Sequence, residues 1–216
     1  MPAMIPAEQL TIVPANQASW QDLQAIFSRR NASHCLCQRF KVVQYLWRDS
    51  TLPERTAAFQ AQTGCGNPDA PTTSGLVAYV AGEPAGWVAV EPRTAYPKLR
   101  TTPIPWRGRA EGKDDPSVWA VTCFVVRTRF RGRGLTYHLA RAAAEFARER
   151  GARAVEGYGM ITEPGKEITW GELHVGPRQA FEEAGFRQLS QPSKRRVVMR
   201  IDFGPPGPGS SGGVAG

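Results

Sequence analysis

The fold is decided by residues 118–150, VWAVTCFVVRTRFRGRGLTYHLARAAAEFARER, which contain three successive patterns. The first nine residues are almost entirely apolar, as is typical of a strand that is buried on both faces. From Leu135 to Arg150 apolar side chains recur at helical spacing, and Gly151 follows as a stop. A basic loop with Gly132 and Gly134 joins the two. We therefore predict a central strand, a glycine loop and an amphipathic helix.

The loop before this helix predicts a site for an anion. The first backbone N–H groups of a helix have no intrahelical partner, and the helix dipole is positive at that end. Gly132 and Gly134 allow the backbone to approach a phosphate without an intervening Cβ. A dinucleotide fingerprint is excluded because Tyr137 stands at its third glycine, and a P-loop is excluded because Gly-Leu-Thr replaces Gly-Lys-Ser/Thr.

The run Arg129-Phe-Arg-Gly-Arg-Gly134 resembles the Arg/Gln-x-x-Gly-x-Gly/Ala signature of the GNAT superfamily of N-acetyltransferases. The later run AFEEAGFRQL, residues 180–189, also resembles a motif of that family. The resemblance covers residues 118–203 well and residues 76–93 less specifically. It implies an α/β (α+β) GNAT fold, in which helices flank a central mixed, mostly antiparallel twisted sheet of about seven strands. It also implies that acetyl-CoA is the co-substrate and that its acetyl group passes to a primary amine by direct attack.

The resemblance assigns the acetyl-CoA site to the end of the central strand and the glycine loop. The backbone of the strand would hold the thioester and the pantetheine arm, and the loop would hold the pyrophosphate. The implied residues are Phe124, Val125, Val126, Arg131, Gly132, Arg133, Gly134, Leu135 and Thr136. Four arginines alternate along residues 127–133, and a loop cannot direct all four at one ligand.

Acetyl transfer to an amine requires a base, because the ammonium must lose a proton. The central strand has no acidic residue, so the nearest candidate is Glu156 on the following strand, with Glu91 as the second candidate. Side chains alternate along a strand, and Glu156 and Tyr158 should therefore share one face. We predict that this face is the cleft.

The general acid is less clearly marked. Phe181 occupies the position at which many family members have a tyrosine, and it has no proton to donate. Tyr158, His174 and Cys123 are the substitutes by chemistry. The loop around residues 170–175 is expected to contact the acceptor, through Trp170, Glu172 and His174.

The rest of the chain predicts further elements of one domain, residues 1–203. The predicted strands are 10–13, a hairpin within 76–93, 152–160, 186–190 and 195–203. The predicted helices are 19–29, two around 40–47 and 53–62, and 176–184. Residues 204–216, GPPGPGSSGGVAG, have almost nothing to bury and are predicted to form a disordered tail.

Composition limits the class of protein. The 216 residues are 41% apolar, which excludes wholesale disorder, and no apolar run is long enough to cross a bilayer. The first residues lack the features of a signal peptide, and four cysteines are too few for a disulfide scaffold, so we expect a cytoplasmic protein without a membrane partner. His34, Cys35, Cys37 and Cys65 lack the second close pair of a zinc site, and no metal is predicted.

The net charge of +8 leaves a nucleic acid as an alternative partner, but the basic loop has no interleaved exposed aromatic residues. A non-catalytic acyl-CoA-binding or sensing module is the stronger alternative, because Phe181 stands where an acid is expected and the central strand has no acidic residue. The acceptor is a small-molecule or peptide amine, and polyamines, antibiotics, peptide N-termini and protein lysines all fit this description. A homodimer is compatible with the sequence.

Overall fold

The computed structural model describes residues 4–163 and 169–204. Seven strands form one sheet in the order β1-β2-β3-β4-β5-β7-β6. The strands are β1 (Leu10–Pro14), β2 (Gly75–Val80), β3 (Glu83–Pro92), β4 (Val118–Val126), β5 (Ala154–Gly157), β6 (Arg187–Ser193) and β7 (Arg196–Asp202). Within the described residues β4 and β5 pair in parallel and the other neighbours pair antiparallel. The prediction of a mixed, mostly antiparallel sheet of about seven strands is therefore confirmed.

Seven α-helices connect these strands in the described part of the chain. They are α1 (Trp20–Ile26), α2 (Arg30–Cys35), α3 (Gln44–Trp47), α4 (Leu52–Thr63), α5 (Leu135–Glu149), α6 (Trp170–Leu173) and α7 (Arg178–Glu183). Reciprocal capping boxes begin α1 at Ser19 and α4 at Thr51. Helix α2 was not predicted, because no side chain caps it and its six residues show no apolar periodicity.

Apolar side chains cover both faces of the sheet. Val88 of β3 and Leu139 of α5 belong to one cluster, whereas the neighbouring Trp87 belongs to a second cluster with Phe27 and Phe59. The rings of Phe59 and Trp87 lie 5.3 Å apart, edge to face. Since adjacent strand residues point to opposite faces, α5 covers one face and α1 and α4 cover the other.

The two parallel strands separate towards their carboxyl ends. Their pairing stops at Val121 and Gly157, although β4 continues to Val126. At the same level β4 has an extra residue relative to β3, because Cys123 pairs with Ala89 and Val121 pairs with Val90. Such a bulge bends the strand, and the bend opens a gap between β4 and β5. Residues 205–216 of the predicted tail lie outside the described residues.

The ring of Phe181 fills the base of this gap. A Cβ on Gly157 would lie 2.1 Å from Cε1 of Phe181, so the ring requires glycine at that position. Phe181 is fully buried and packs edge to face against Phe124 and Phe186, at 5.8 and 5.2 Å between ring centroids. The residue at the expected tyrosine position is therefore part of the apolar core.

Candidate active site

A cavity of about 880 Å³ lies at the N-terminus of α5, where β4 ends. Seven of the nine predicted cofactor residues line it, and they are Phe124, Val126, Arg131, Gly132, Gly134, Leu135 and Thr136. Val125 does not, because it points into the core on the opposite face of the sheet. Arg133 is not a lining residue either, and its backbone carbonyl accepts a hydrogen bond from the N–H of Ile5 at 3.1 Å.

The glycine loop forms the mouth of this cavity, which we call the cleft. Gly132 and Gly134 adopt left-handed φ angles of 69° and 80°, and Gly134 is the N-cap of α5. A Cβ on Gly134 would lie 2.2 Å from Cε of Met4, which also lines the cleft. The loop therefore needs glycine for its left-handed conformation, whereas the exposed, flexible end of Met4 can rotate away from a Cβ. The N–H groups that begin the fifteen-residue helix α5 are directed at the same place, and they suit an anion.

The four arginines of the loop do not act together. Arg127 donates to the carbonyl of Pro84 at 2.6 Å, and Arg129 pairs with Glu83, so both are bound to the β2–β3 hairpin. Arg131 lines the cleft, where its Nε donates to the carbonyl of Val126 at 3.0 Å. Partial burial, followed by the charge of Arg29, lowers the pKa of Arg131. The positive charge at the mouth of the cleft is thus partly desolvated.

Three residues of α5 also line the cleft and were not predicted. Tyr137, His138 and Arg141 lie within the first two turns of the helix, on the side that continues from the glycine loop. Their positions follow from helical periodicity once Gly134 is identified as the N-cap. Met4 could not have been found in this way, because it comes from a distant part of the sequence.

A second cavity, of about 240 Å³, lies on the face of the sheet opposite α5. Tyr158 at the end of β5, Phe40, and the segment around Lys98 and Leu99 contribute to its lining. Tyr158 and Leu99 belong to one apolar cluster with Ala120 of β4, and this shared cluster places the cavity on the face that α5 does not cover. We call this second cavity the acceptor pocket, a name that anticipates its proposed role.

His174 is the one described residue that lines both the cleft and the acceptor pocket. Its backbone carbonyl accepts a hydrogen bond from the N–H of Phe124 at 2.6 Å, and this bond holds the loop after α6 in the gap between β4 and β5. Its buried ring lies 6.3 Å from the ring of Phe40. The fold thus places an imidazole at the boundary between the two cavities.

The same hydrogen bond changes the expected role of the β4 backbone. The N–H of Phe124 was predicted to hold a thioester carbonyl, but in this structure it donates to His174. The N–H of Arg127 donates to Ala85 of β3 at 3.0 Å. Successive N–H groups of a strand alternate in direction, so the N–H of Val126 faces the cleft. Val126 is therefore the backbone donor of β4 that can meet a ligand.

Glu156 is fully buried and lines neither cavity. Arg109 and Arg200 donate to its Oε1 at 2.6 and 2.9 Å, and Arg93 does so at 3.4 Å. Glu156 and Tyr158 do share a face, and the phenol hydroxyl lies 3.3 Å from Oε2 of Glu156. The expectation that this carboxylate faces the cleft is corrected, because three guanidinium groups occupy the space in front of it. A base must be reachable by the amine, and this carboxylate is not.

The other acidic candidates are also paired. Glu91 forms an ion pair with Lys41 and lines neither cavity, and burial raises the pKa of Glu91. Glu172 pairs with Arg195 at 3.0 Å, and it also lies outside both cavities, contrary to its predicted contact with the acceptor. Of its two neighbours, Gly171 lines the acceptor pocket and Leu173 lines the cleft. The side chain of Trp170 lies outside what the structure describes.

Of the remaining candidate acids, Tyr158 lines a cavity and Cys123 does not. Tyr158 lines the acceptor pocket, and burial, followed by the charge of Glu156, raises the pKa of Tyr158 well above its ordinary value. Since a carboxylate can only accept a hydrogen bond, the Tyr158 hydroxyl donates to Glu156. Cys123 is buried in the cluster around Trp87, away from both cavities.

The cysteines behave as packed thiols. Cys35 and Cys37 are buried, and burial, followed by the neighbouring Cys37, raises the pKa of Cys35 to about 11. Residues 4–163 and 169–204 contain no cluster of three or more histidine, cysteine or acidic side chains that could hold a metal ion. In the same residues no helix is both long and apolar enough to cross a membrane.

Comparisons with known proteins give one consistent result. The family model described as "Acetyltransferase (GNAT) family" matches residues 39–158, which is more than half of the chain. The structure of yncA from Salmonella typhimurium with its cofactor acetyl-CoA matches at 16% identity, with 90% of this chain and 94% of that chain covered and a TM-score of 0.51. A search of curated proteins found no match.

Two further solved structures are similar. A GCN5-related N-acetyltransferase from Kribbella flavida matches at 18% identity, covering 92% of this chain and all of that chain, 100%, with a TM-score of 0.50. An N-acetyltransferase from Staphylococcus aureus Mu50 matches at 14% identity, covering 89% and 98% of the two chains, also with a TM-score of 0.50. At these identities the structural matches establish a shared fold.

Proposed function

Since the chain belongs to the GNAT acetyltransferase family, we propose that it transfers the acetyl group of acetyl-CoA to a primary amine, with the two substrates meeting at His174. The observation that carries this proposal is the position of His174 on the lining of both cavities. One cavity has the features of a cofactor cleft, and the other has the size of a small acceptor. A histidine between them is well placed to handle the proton that the amine loses.

The cleft suits acetyl-CoA by charge and by shape. The pyrophosphate would bind the N–H groups at the start of α5, beside Gly132 and Gly134 and with the guanidinium of Arg131. Gly134 holds the left-handed φ of 80° that the loop needs at the start of α5. The pantetheine arm would then follow β4, with the N–H of Val126 as a donor, and bring the thioester to the gap where β4 and β5 separate.

The reaction needs a neutral amine, which the acceptor pocket would present from the other side of the gap. The imidazole of His174 would take one proton from the ammonium, directly or through a water. The amine nitrogen then attacks the thioester carbon, the C–S bond breaks, and the thiolate leaves with the bonding electrons. The nitrogen becomes positively charged on attack and loses its second proton to the leaving thiolate, directly or through a water. His174 passes the first proton to water, so the products are the N-acetyl amide, the CoA thiol and one proton in solution.

Tyr158 has a supporting role in this scheme. Its raised pKa and its hydrogen bond to Glu156 make it a poor proton donor, whereas its oxygen can still accept a hydrogen bond from the acceptor. A separate general acid is not essential, because a thiolate is a tolerable leaving group. The absence of a tyrosine at Phe181 is thus compatible with turnover.

The experiment is a thiol-release assay with acetyl-CoA and a panel of primary amines, together with calorimetry of CoA binding. His174→Gln should lower kcat by roughly 10²–10⁴-fold, the usual span for loss of a general base, with little change in the CoA Kd. His34→Gln is the matched control, because this exposed histidine lines neither cavity. Undiminished turnover of His174→Gln from pH 6 to pH 9 would remove His174 from the mechanism. CoA binding without thiol release on any amine would overturn transfer and favour an acyl-CoA-binding module.

A further inference from the structure

The acceptor pocket has an unusual charge distribution. Three cationic side chains line it, and they come from three separate segments: Arg39 after α2, Lys98 before β4 and Arg196 at the start of β7. No aspartate or glutamate is among the described residues that line it. In the part of the chain that the structure describes, no carboxylate oxygen lies within 4.0 Å of a side-chain nitrogen of any of these three cations.

The three cations also affect one another. Partial burial, followed by the charge of Arg39, lowers the pKa of Lys98. Burial likewise lowers the pKa of Arg196, and the nearby Glu172 only partly offsets this effect while Arg195 and Arg39 add to it. Like charges that are held together and partly desolvated destabilise each other until an anion joins them. The pocket is therefore electrostatically prepared for a negative group.

The size and the walls of the pocket indicate what kind of molecule could bring this negative group. At about 30 Å³ per water, a volume of about 240 Å³ holds about eight waters, which is the size of one small amino acid. Phe40, Leu99, Ile104 and Val175 supply apolar walls beside the cations. A polycation such as an aminoglycoside or a polyamine would meet three like charges in this pocket.

The same charges also favour the chemistry. A simple alkylammonium would be repelled from a pocket with three cations and no acid. An amine that also bears a carboxylate overcomes this repulsion with its own negative group. Once it is bound, the remaining positive field favours loss of the ammonium proton, which produces the nucleophile. Recognition of the carboxylate and activation of the amine thus have a common cause.

We propose that the acceptor pocket binds an aminocarboxylate of amino-acid size, such as an α-amino acid with an apolar side chain, and that Arg39, Lys98 and Arg196 hold its carboxylate. This inference rests on the proposed function, since it takes this pocket as the site of the acceptor. It narrows the acceptor from any primary amine to one that has a negative group close to its nitrogen. Polyamines, aminoglycosides and simple alkylamines become poor substrates.

The first test uses substrate pairs that differ only in the carboxylate: leucine against 3-methylbutylamine, and phenylalanine against phenethylamine. We expect kcat/KM to be higher for the amino acid of each pair by about tenfold or more, the value of one charge-assisted contact. Lys98→Met and Arg196→Met should each remove most of this preference and leave the CoA Kd unchanged. Lys194→Met is the matched control, because this exposed lysine lies two residues from Arg196 and outside the pocket. Equal kcat/KM within both pairs would overturn the proposal while transfer itself stands.

The second test does not depend on turnover. N-acetyl-leucine and N-(3-methylbutyl)acetamide are the two corresponding products, and their binding can be compared by ligand-observed NMR. We expect N-acetyl-leucine to bind more tightly, and Lys98→Met to abolish the difference. If this preference holds but no amine releases thiol from acetyl-CoA, the proposed transfer fails and the carboxylate site stands. If the two products bind equally well, the carboxylate site is refuted.

Discussion

Replacing Glu156 by glutamine distinguishes a structural carboxylate from a catalytic one. The wild-type carboxylate is fully buried and accepts hydrogen bonds from Arg93, Arg109 and Arg200, whose side chains are at most 7% exposed. Glutamine keeps one acceptor oxygen, but it turns an amide donor towards guanidinium groups that are themselves donors. The three guanidinium groups would then lose their one fully buried anionic partner and keep only Glu111 and Asp202, which are partly exposed.

The magnitude follows from this burial. Removing one partner of a buried ion pair costs about 3–5 kcal/mol. For a chain of this size each kcal/mol lowers Tm by about 2–4 °C, so we expect Glu156→Gln to melt about 6–20 °C below the wild type. Arg93 and Arg109 also border the segment that contains Lys98 and Ile104 of the acceptor pocket. We therefore expect KM for the acceptor to rise as well, with little change in CoA affinity.

The assay is thermal unfolding at neutral pH, combined with steady-state kinetics below the melting range. Glu145→Gln on the exposed side of α5 is the matched control, and its effect on stability should stay within about 0.5 kcal/mol. An unchanged Tm together with a loss of kcat of roughly 10²–10⁴-fold would refute this reasoning. That result would restore Glu156 as the general base that the sequence predicted.

Three further predictions concern the cleft, the stability at low pH and the cysteines. Gly134→Val should abolish CoA binding while the fold is retained, because valine disfavours the left-handed φ of 80° on which the loop's approach to a phosphate depends; undiminished binding by calorimetry would refute the anion site at the glycine loop. Hydrogen bonds, first of all the one from Ser117, lower the pKa of Asp115 to about 2 from an ordinary 3.8. The ionised carboxylate therefore stabilises the fold fully above pH 3.8, and this contribution is lost as the pH falls towards 2. Asp115→Asn should therefore lower Tm at pH 7, and the difference in Tm between the wild type and the variant should shrink below pH 4. A difference in Tm that grows on acidification would contradict this prediction. Iodoacetamide at pH 8 should label Cys65 well before Cys35, whose pKa is raised to about 11 by burial, and mass spectrometry showing the opposite order would contradict the buried placement.

The unit from β4 to α5 could be predicted closely because its signals are local. Eight apolar residues out of nine, two glycines and a regular apolar stripe predicted boundaries within one residue of β4 (Val118–Val126) and α5 (Leu135–Glu149). Seven of the nine residues that the same stretch predicted for acetyl-CoA line the cleft. Helix α2, by contrast, has neither a cap nor an apolar pattern, and packing rather than propensity determines it.

The sequence could not show whether Glu156 faces a cavity, because that depends on distant residues. Alternation along β5 correctly placed Glu156 and Tyr158 on one face. It could not show that Arg109 and Arg200, 47 and 44 residues away, would occupy the space before the carboxylate. The cations of the acceptor pocket also come from separate segments and share no local pattern. His174 could be suggested by its chemistry alone, but its position between two cavities is a property of the fold.

The proposed function requires that an acetyl group passes from acetyl-CoA to an amine at this site. The most direct measurement follows an isotopically labelled acetyl group by NMR while the protein, labelled acetyl-CoA and leucine react. We predict that the thioester signal is replaced by that of the N-acetyl amide, at a rate that falls with His174→Gln and not with His34→Gln. A label that remains in the thioester, or that appears only as free acetate, would contradict the account.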